Sequence, residues 1–209
     1  MKILGLDPSL TNFGWCFIDD DGATVIERGR FKTTSKQIFI ERYVQLRGEL
    51  SDLIDRLKPD RIGIESPIFN DLYSEGMYGL FLFCNEVFMT KKKDVAFFTP
   101  PQVKSHAFVF LKRPKGWKMK KQDMCEASRT KSGGGKWNHN EADAYWVGVT
   151  AYRFWQYYDQ VLSVDDLTEK EKHQFTRIHT FKRGKKIGET VKSGLIHRED
   201  DRFFLWSQK

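Results

Sequence analysis

Cysteine is scarce in this chain: Cys16, Cys84 and Cys125 are the only three among 209 residues, and no two of them form a Cys-x-x-Cys pair. That spacing argues against a structural zinc site and against a disulfide framework, and it fits a reducing compartment. Long apolar runs are missing too. Nothing approaches the ~18 uninterrupted apolar residues of a membrane helix, and Asp7 stands where a signal peptide needs its apolar stretch. A soluble, cytoplasmic protein without a membrane partner is expected. A third absence concerns nucleotides: Lys131-Ser132-Gly133-Gly134-Gly135-Lys136 is glycine-rich, but it lacks the Gly-Lys-Ser/Thr ending and the preceding strand of a phosphate-binding loop. It reads as a flexible approach to the helix beyond it.

What the chain does have is an acid at the end of each of two apolar runs. Residues 3–6 are nearly continuously apolar, as a buried strand is, and Asp7 closes them before the Pro8-Ser9 turn. Taken alone, Asp7 reads equally as an Asx-turn acceptor bonding the amides of that turn. Residues 14–18 resume as a strand, Asp20-Asp21-Gly22 makes a tight turn, and residues 23–31 read as a third strand. Across residues 36–58, Tyr43, Leu46, Leu50, Leu53, Ile54 and Leu57 keep the spacing of an amphipathic helix, which Pro59 ends. Residues 61–65 form another short strand, closed by Glu65. If that strand lies parallel to the first after a right-handed crossover, both carboxyl ends share one sheet edge and Glu65 meets Asp7. The alternative is a carboxylate satisfied by a neighbouring arginine or by backbone.

Residues 66–75 read as a loop carrying Phe69 and Tyr73, and residues 76–91 as a helix apolar nearly all round, suited to the core or to a subunit contact. Residues 94–98 form a further strand, after which Thr99 can cap and Pro100 can open a helix. Lys112, Arg113, Lys115, Lys118, Lys120 and Lys121 then follow with no acid among them and with Trp117 in their midst. Such a loop suits phosphate contact plus stacking on an exposed base, or it is a solvated charged face. The whole chain leans the same way, since 35 Lys+Arg against 28 Asp+Glu leave a net +7, which suits a polyanionic partner. After a helix near residues 121–129 and the glycine stretch, Asn140 reads as the N-cap of a helix running through Tyr145, Trp146, Val149 and Tyr152. Beyond residue 159, stretches at 175–180, 187–191 and 203–206 read as short strands of a small β-rich extension.

Leu4-Gly5-Leu6-Asp7-Pro8-Ser9 with Gly14 behind it, Thr99-Pro100-Pro101-Gln102-Val103-Lys104, and Ala142-Asp143-Ala144 resemble, in this order, motifs of the RuvC family of Holliday-junction resolvases. The likeness covers roughly residues 1–157. It implies an α/β fold, a ribonuclease-H-like mixed five-stranded sheet flanked by helices, as a nuclease domain of residues 1–158 with the extension at 159–209. It implies Asp7, Glu65 and Asp143 as metal ligands, Asp7 shared between two ions, with Lys104 and the basic loop on the DNA. Phe69 corresponds to an aromatic that disturbs stacking at the crossover. Hard divalent cations take oxygen ligands, and a pair about 4 Å apart can activate water on one side of a phosphodiester and stabilise the leaving oxygen on the other. The expected cofactor is Mg²⁺, with Mn²⁺ able to replace it. The expected products are 5′-phosphate and 3′-hydroxyl nicks in four-way DNA junctions, cut by a homodimer.

The chain also departs from the family. It lacks a Gly-x-Gly turn before the basic loop and carries an unusual tail, features closer to phage-encoded relatives, which would act in a host cytoplasm. Three residues before the last acid the family usually has Asp or His, where this chain has Asn140 with its weaker amide ligand. His139, about 40° from Asp143 on a helical wheel, and then Glu141 are the expected replacements, as ligand or as the base orienting water. Glu141 reads alternatively as solvent-facing. Other classes stay open: a ribonuclease-H-fold nuclease for other branched DNA or RNA, a non-catalytic junction binder, and an actin-like ATPase, for which the chain lacks room.

Overall fold

The structure is a computed structural model; it describes residues 1–66, 75–114 and 116–175, and the backbone of residues 178–180, 190–192, 197–199 and 202–204. Strands β1 (Ile3–Asp7), β2 (Asn12–Ile18), β3 (Val25–Lys32), β4 (Arg61–Glu65) and β5 (Val95–Phe98) form one sheet in the order β3-β2-β1-β4-β5. β2 lies between β1 and β3 and is antiparallel to both, while β4 and β5 continue parallel to β1. The expected mixed five-stranded sheet is therefore present. Parallel neighbours need crossovers, which α1 (Phe39–Leu57) supplies into β4 and α2 (Glu75–Thr90) into β5. Then come α3 (Pro100–Phe110), α4 (Lys121–Lys131) and α5 (His139–Tyr158).

Local chemistry sets the helix ends. A side chain reaches back to the cap N–H in three of them: Glu41 accepts from Ile38 (3.1 Å), Gln102 from Thr99 (2.7 Å) and Asp123 from Lys120 (2.8 Å). α1 stops where Lys58 turns left-handed (φ 47°) ahead of Pro59. α5 begins two residues earlier than the sequence suggests. Its cap is Asn138, whose Oδ1 accepts the Asn140 N–H (3.0 Å) and whose carbonyl accepts that of Ala142 (2.9 Å). Asn140, expected as the cap, lies inside the first turn and is buried.

Strand side chains alternate between faces, so Leu4 and Leu6 point to one side of β1 and Gly5 and Asp7 to the other. On the glycine side α5 lies directly against the sheet backbone. A Cβ at Gly14 would come 2.2 Å from the Asn140 carbonyl oxygen, one at Gly5 2.1 Å from that of Ala144, and one at Gly63 2.5 Å from Ala151 Cβ. The helix answers with small residues, Ala144, Gly148 and Ala151, at the spacing of a single face. Ile3, Leu4, Leu6, Ile62 and Ile64 are fully buried, the unbroken apolar pattern of strands covered on both sides.

Two compact units divide the chain, Met1–Tyr152 and Arg153–Lys209, with the division inside α5. The second unit holds a short turn of 3₁₀ helix at Val164–Asp166, α6 (Glu169–Phe175), and two antiparallel ladders, β6 (Ile178–Thr180) with β7 (Thr190–Lys192) and β8 (His197–Glu199) with β9 (Arg202–Phe204). The reading of this region as strands alone missed α6. Its start is a capping box in which Thr168 Oγ1 accepts the Glu171 N–H (3.2 Å) and Glu171 accepts that of Thr168 (2.8 Å). Arg153 Nε then pairs with the buried Glu171 (2.9 Å). Among the described residues no helix is long and apolar enough to cross a membrane.

Because α5 rests on backbone atoms that cannot step aside, Gly5→Ala is expected to destabilise the protein by about 1–3 kcal/mol or more through overpacking. Gly48, inside α1, has nothing within 4 Å of its Cβ position, so Gly48→Ala should stabilise by roughly 0.5–1 kcal/mol. Thermal unfolding reads both, at roughly 2–4 °C per kcal/mol for a chain of this size. Equal melting temperatures for the two variants would mean that α5 does not rest on β1.

Candidate active site

The parallel pairing of β1 with β4 sets Leu6 opposite Ile64, so Asp7 and Glu65 come next in register at the same sheet edge. Asp143 joins them from α5, one residue before the Ala144 that rests on Gly5. Electrostatics confirms the proximity. Burial first, and then the charges of Glu65 and Asp143, hold the Asp7 carboxyl well above the usual carboxylate range, while Lys104 and Lys121 draw it down. Glu65 is pushed up to about 7, chiefly by burial and then by Asp143, against Lys104. Asp143 is pushed up to about 6 by burial, against Lys104 and Lys121. Three acids and two of the expected lysines therefore come together, Asp7 and Glu65 from strand ends and Asp143, Lys104 and Lys121 from near the starts of their helices.

The flanking candidates separate. His139 opens α5, one turn before Asp143, and burial together with Lys121 and Arg30 lowers its pKa, which keeps the ring neutral at pH 7 and able to accept a proton. Glu141 does not face solvent: it lies 3.5 Å from Arg28 Nε and 3.3 Å from Arg30 Nε on β3. Arg28 also donates to the Lys136 carbonyl (2.9 Å) and covers the Trp137 ring (3.6 Å). Glu141 thus belongs to a clamp that holds the start of α5 on β3. Asn140 uses its Nδ2 to bond the Asn12 carbonyl, a structural tie, while its Oδ1 and the Asp143 Oδ1 are buried without a hydrogen-bond partner.

Within the basic loop the side chains divide by role. Lys112, Lys118, Lys120 and Lys121 are exposed. Arg113, expected on DNA, instead binds Asp123 (3.1 Å) and Glu126 (2.6 Å). Trp117 is half-exposed at 46 %, its Nε1 donating to Asp123 (3.3 Å) and Arg113 lying over its ring. Asp123 is the anchor: the Lys120 amide first, then Trp117 and Arg113, hold its carboxyl below the usual range. Phe69 and Lys115 lie outside the described residues. No sequence signal marked Asp123 or Glu126 as the loop's fasteners, although Asp123 stands at the capping-box position of α4.

Among the described residues no three His, Cys, Asp or Glu side chains are already drawn together as a coordination sphere. The chemistry of the edge nevertheless fits a hard divalent cation. Its donors are carboxylate oxygens, one of them, Asp143 Oδ1, is buried without a donor, and Lys104 and Lys121 do not bring the buried carboxyls back to their ordinary range.

Comparison with known proteins shows what this sheet with its acidic edge is similar to. No protein-family model matches the chain. The crossover junction endodeoxyribonuclease RuvC of Cereibacter sphaeroides is 33% identical over 72 residues, 34% of this chain and 42% of the relative. That of Orientia tsutsugamushi is 34% identical over 79 residues, 37% of this chain and 50% of the relative. The chain thus spans half or less of the length of these curated relatives. Among solved structures, Thermus thermophilus RuvC in complex with Holliday junction substrate superposes with TM-score 0.60 at 18% identity, covering 73% of this chain and 94% of that one. The yeast mitochondrial Holliday junction resolvase Ydc2 gives TM-score 0.50 at 14% identity, covering 77% and 84%. In fold, and in the stretch of sequence it shares with these relatives, the chain is RuvC-like.

The raised pKa values carry a sign that can be tested. In the metal-free protein the folded state keeps protons on Glu65 and Asp143 that the unfolded chain releases at the ordinary values of 4.5 and 3.8, until pH passes about 7 and about 6. Folding stability from these groups is therefore full below pH 4 and lost as pH rises through that window. With EDTA present, the melting temperature of Glu65→Gln should fall less between pH 5 and 7.5 than that of the wild type. Parallel curves would show that the carboxylates are not crowded.

Proposed function

We propose that this chain is a structure-selective endonuclease that resolves four-way DNA junctions by divalent-metal-dependent hydrolysis, leaving 5′-phosphate and 3′-hydroxyl ends. The convergence of Asp7, Glu65 and Asp143 at one sheet edge, with Lys104 and Lys121 beside them, carries the reading. The names of the similar proteins, crossover junction endonucleases and a resolvase solved with a Holliday junction, support the substrate. Held by Asp7, Glu65 and Asp143, a pair of Mg²⁺ ions, or Mn²⁺ in their place, would supply Lewis-acid charge at the phosphate and a more acidic bound water.

The chain's own groups do the rest. Lys104 and Lys121 bring positive charge to a scissile phosphate that three acids would otherwise repel. His139, kept neutral, accepts a proton from the attacking water at its free ring nitrogen. Lys112, Lys118 and Lys120 contact the backbone of an arm from a loop that Asp123 holds in place, and Trp117 offers its ring to an exposed base.

A junction has pseudo-twofold symmetry, so the same reading makes the enzyme a homodimer that cuts two strands of like polarity. The face for it is the ridge shared by α1 and α2. Val44 (65 %) on α1 and Leu82 (56 %) and Met89 (57 %) on α2 are exposed apolar residues, flanking an ion pair of Arg47 with Glu86 across the two helices.

On a synthetic four-way junction with Mg²⁺ the wild type should give paired nicks and leave linear duplex intact. Asp7→Asn should lose cleavage to background while still binding the junction, having lost a ligand and some repulsion toward phosphate. Cleavage by that variant at the wild-type rate, or cutting confined to other branched DNA or to RNA, would overturn the reading. Separately, Val44→Glu with Leu82→Glu should sediment as a folded monomer, both positions being exposed; an unchanged dimer would place the contact elsewhere.

A further inference from the structure

Beside the acidic triad lies a concavity between α4 and the chain entering α5. Its volume is about 460 Å³, and Lys121, Arg129, Lys136, Trp137 and His139 are among its walls. That space suits one nucleotide and is far too small for a duplex. Its charge is lopsided. Among the described residues Lys121, Arg129 and Lys136 have no carboxylate partner, whereas Glu126, the one acid in the lining, is held by Arg113 at 2.6 Å. Lys121 already answers the triad, which leaves Arg129 and Lys136 as the cleft's cations for an anion, and the triad next door specifies which. The charge of Lys121 acts on Asp7, on Asp143 and on His139, so the cleft that Lys121 and His139 line borders the triad.

The walls are built rather than incidental. Trp137 is fixed by Arg28 over its ring at 3.6 Å, by Tyr145 at 5.1 Å, and by donation from Nε1 to the Gly134 carbonyl at 3.2 Å. With Arg28 over its ring and Tyr145 tilted against it, Trp137 is a fixed wall of the cleft. Gly133, Gly134 and Gly135 all have positive φ (84°, 130° and 87°), and nothing lies within 4 Å of the Cβ positions of the first two. Gly135 lines the cleft, and the turn that delivers it follows a path that side chains would disfavour.

We propose that this cleft is a subsite for one unpaired nucleotide of the cleaved strand, its phosphate met by Arg129 and Lys136 and its base lodged against Trp137. The proposal rests on the junction-nuclease reading and deepens it: an unpaired nucleotide is available at an open branch point and costs unstacking in a linear duplex, so occupancy of the cleft selects branched DNA.

The test measures anisotropy of a fluorescein-labelled single-stranded thymidine tetranucleotide in EDTA, where no cleavage can occur. Arg129→Ala with Lys136→Ala, both exposed, should weaken binding about tenfold or more, while the charge-matched control Lys32→Ala with Lys36→Ala should stay within about twofold of wild type. Cys125→Trp, which fills the cleft without altering charge, should weaken binding as well. Equal binding by the two double variants overturns the proposal, and so does a folded Cys125→Trp protein that binds like wild type, since the phosphate would then sit on an outer rim. Junction cleavage by the wild type is scored apart. Protein that binds the tetranucleotide through Arg129 and Lys136 but cuts no junction refutes the nuclease reading alone, and protein that cuts junctions with no difference between the double variants refutes the cleft alone.

Discussion

Seating a helix on bare backbone is the constraint from which the rest of this structure follows. Gly5, Gly14 and Gly63 give α5 a bed without side chains, and Ala144, Gly148 and Ala151 let it settle there. The consequence is positional. Asp143 precedes Ala144 by one residue, so fixing Ala144 over Gly5 brings a third carboxylate to the edge where the parallel pair β1 and β4 already sets Asp7 and Glu65 together. A larger residue at any of these points would lift the helix and take Asp143 with it. Packing and chemistry are thus one requirement here, met by residues that themselves do no chemistry.

Such closeness leaves an electrostatic imbalance that the fold does not remove. Burial raises all three acids, repulsion adds to it at Asp7 and Glu65, and the nearby lysines, Lys104 at all three and Lys121 at Asp7 and Asp143, only partly oppose the effect. Imbalance of this kind persists where surrounding structure over-determines the arrangement, as happens at functional sites. The surrounding structure is visible: Glu141 between Arg28 and Arg30 holds the helix start, Asn140 ties it to β2, and Asp123 fastens the loop that carries the lysines. Charged residues near the site accordingly divide into those that hold the frame and those left for a ligand.

Much of this division was legible in the chain. The acids closing β1 and β4 were readable because an ionisable group ending an apolar strand has few uses, and the Ala-Asp-Ala run marked the third. The capping box at Thr168 and Glu171 was equally open to view, since Thr-x-x-Glu is a local signal, yet the short apolar stretches around it suggested strands alone. Asn138 and Asn140 were not separable, because either amide can cap and only the observed path of the backbone chooses. Arg113 looked like its neighbours in a basic run. What distinguishes it is an Asp and a Glu ten and thirteen residues later, and no periodicity reports a loop folding back on a helix.

By itself, then, the sequence determined the elements and the acids at their ends: alternation, helical spacing, caps and breakers act over a few residues, and a chain carries them wherever it goes. Only the tertiary structure decided which charges meet. Whether Glu141 faces solvent or the arginines of β3, whether Arg113 faces a phosphate or a carboxylate, and whether Lys121, Arg129 and Lys136 surround one cleft all depend on residues far apart in sequence. Coulomb interaction and burial are set by distance in space, and that distance exists only once α5 has come to rest on the glycines of the sheet.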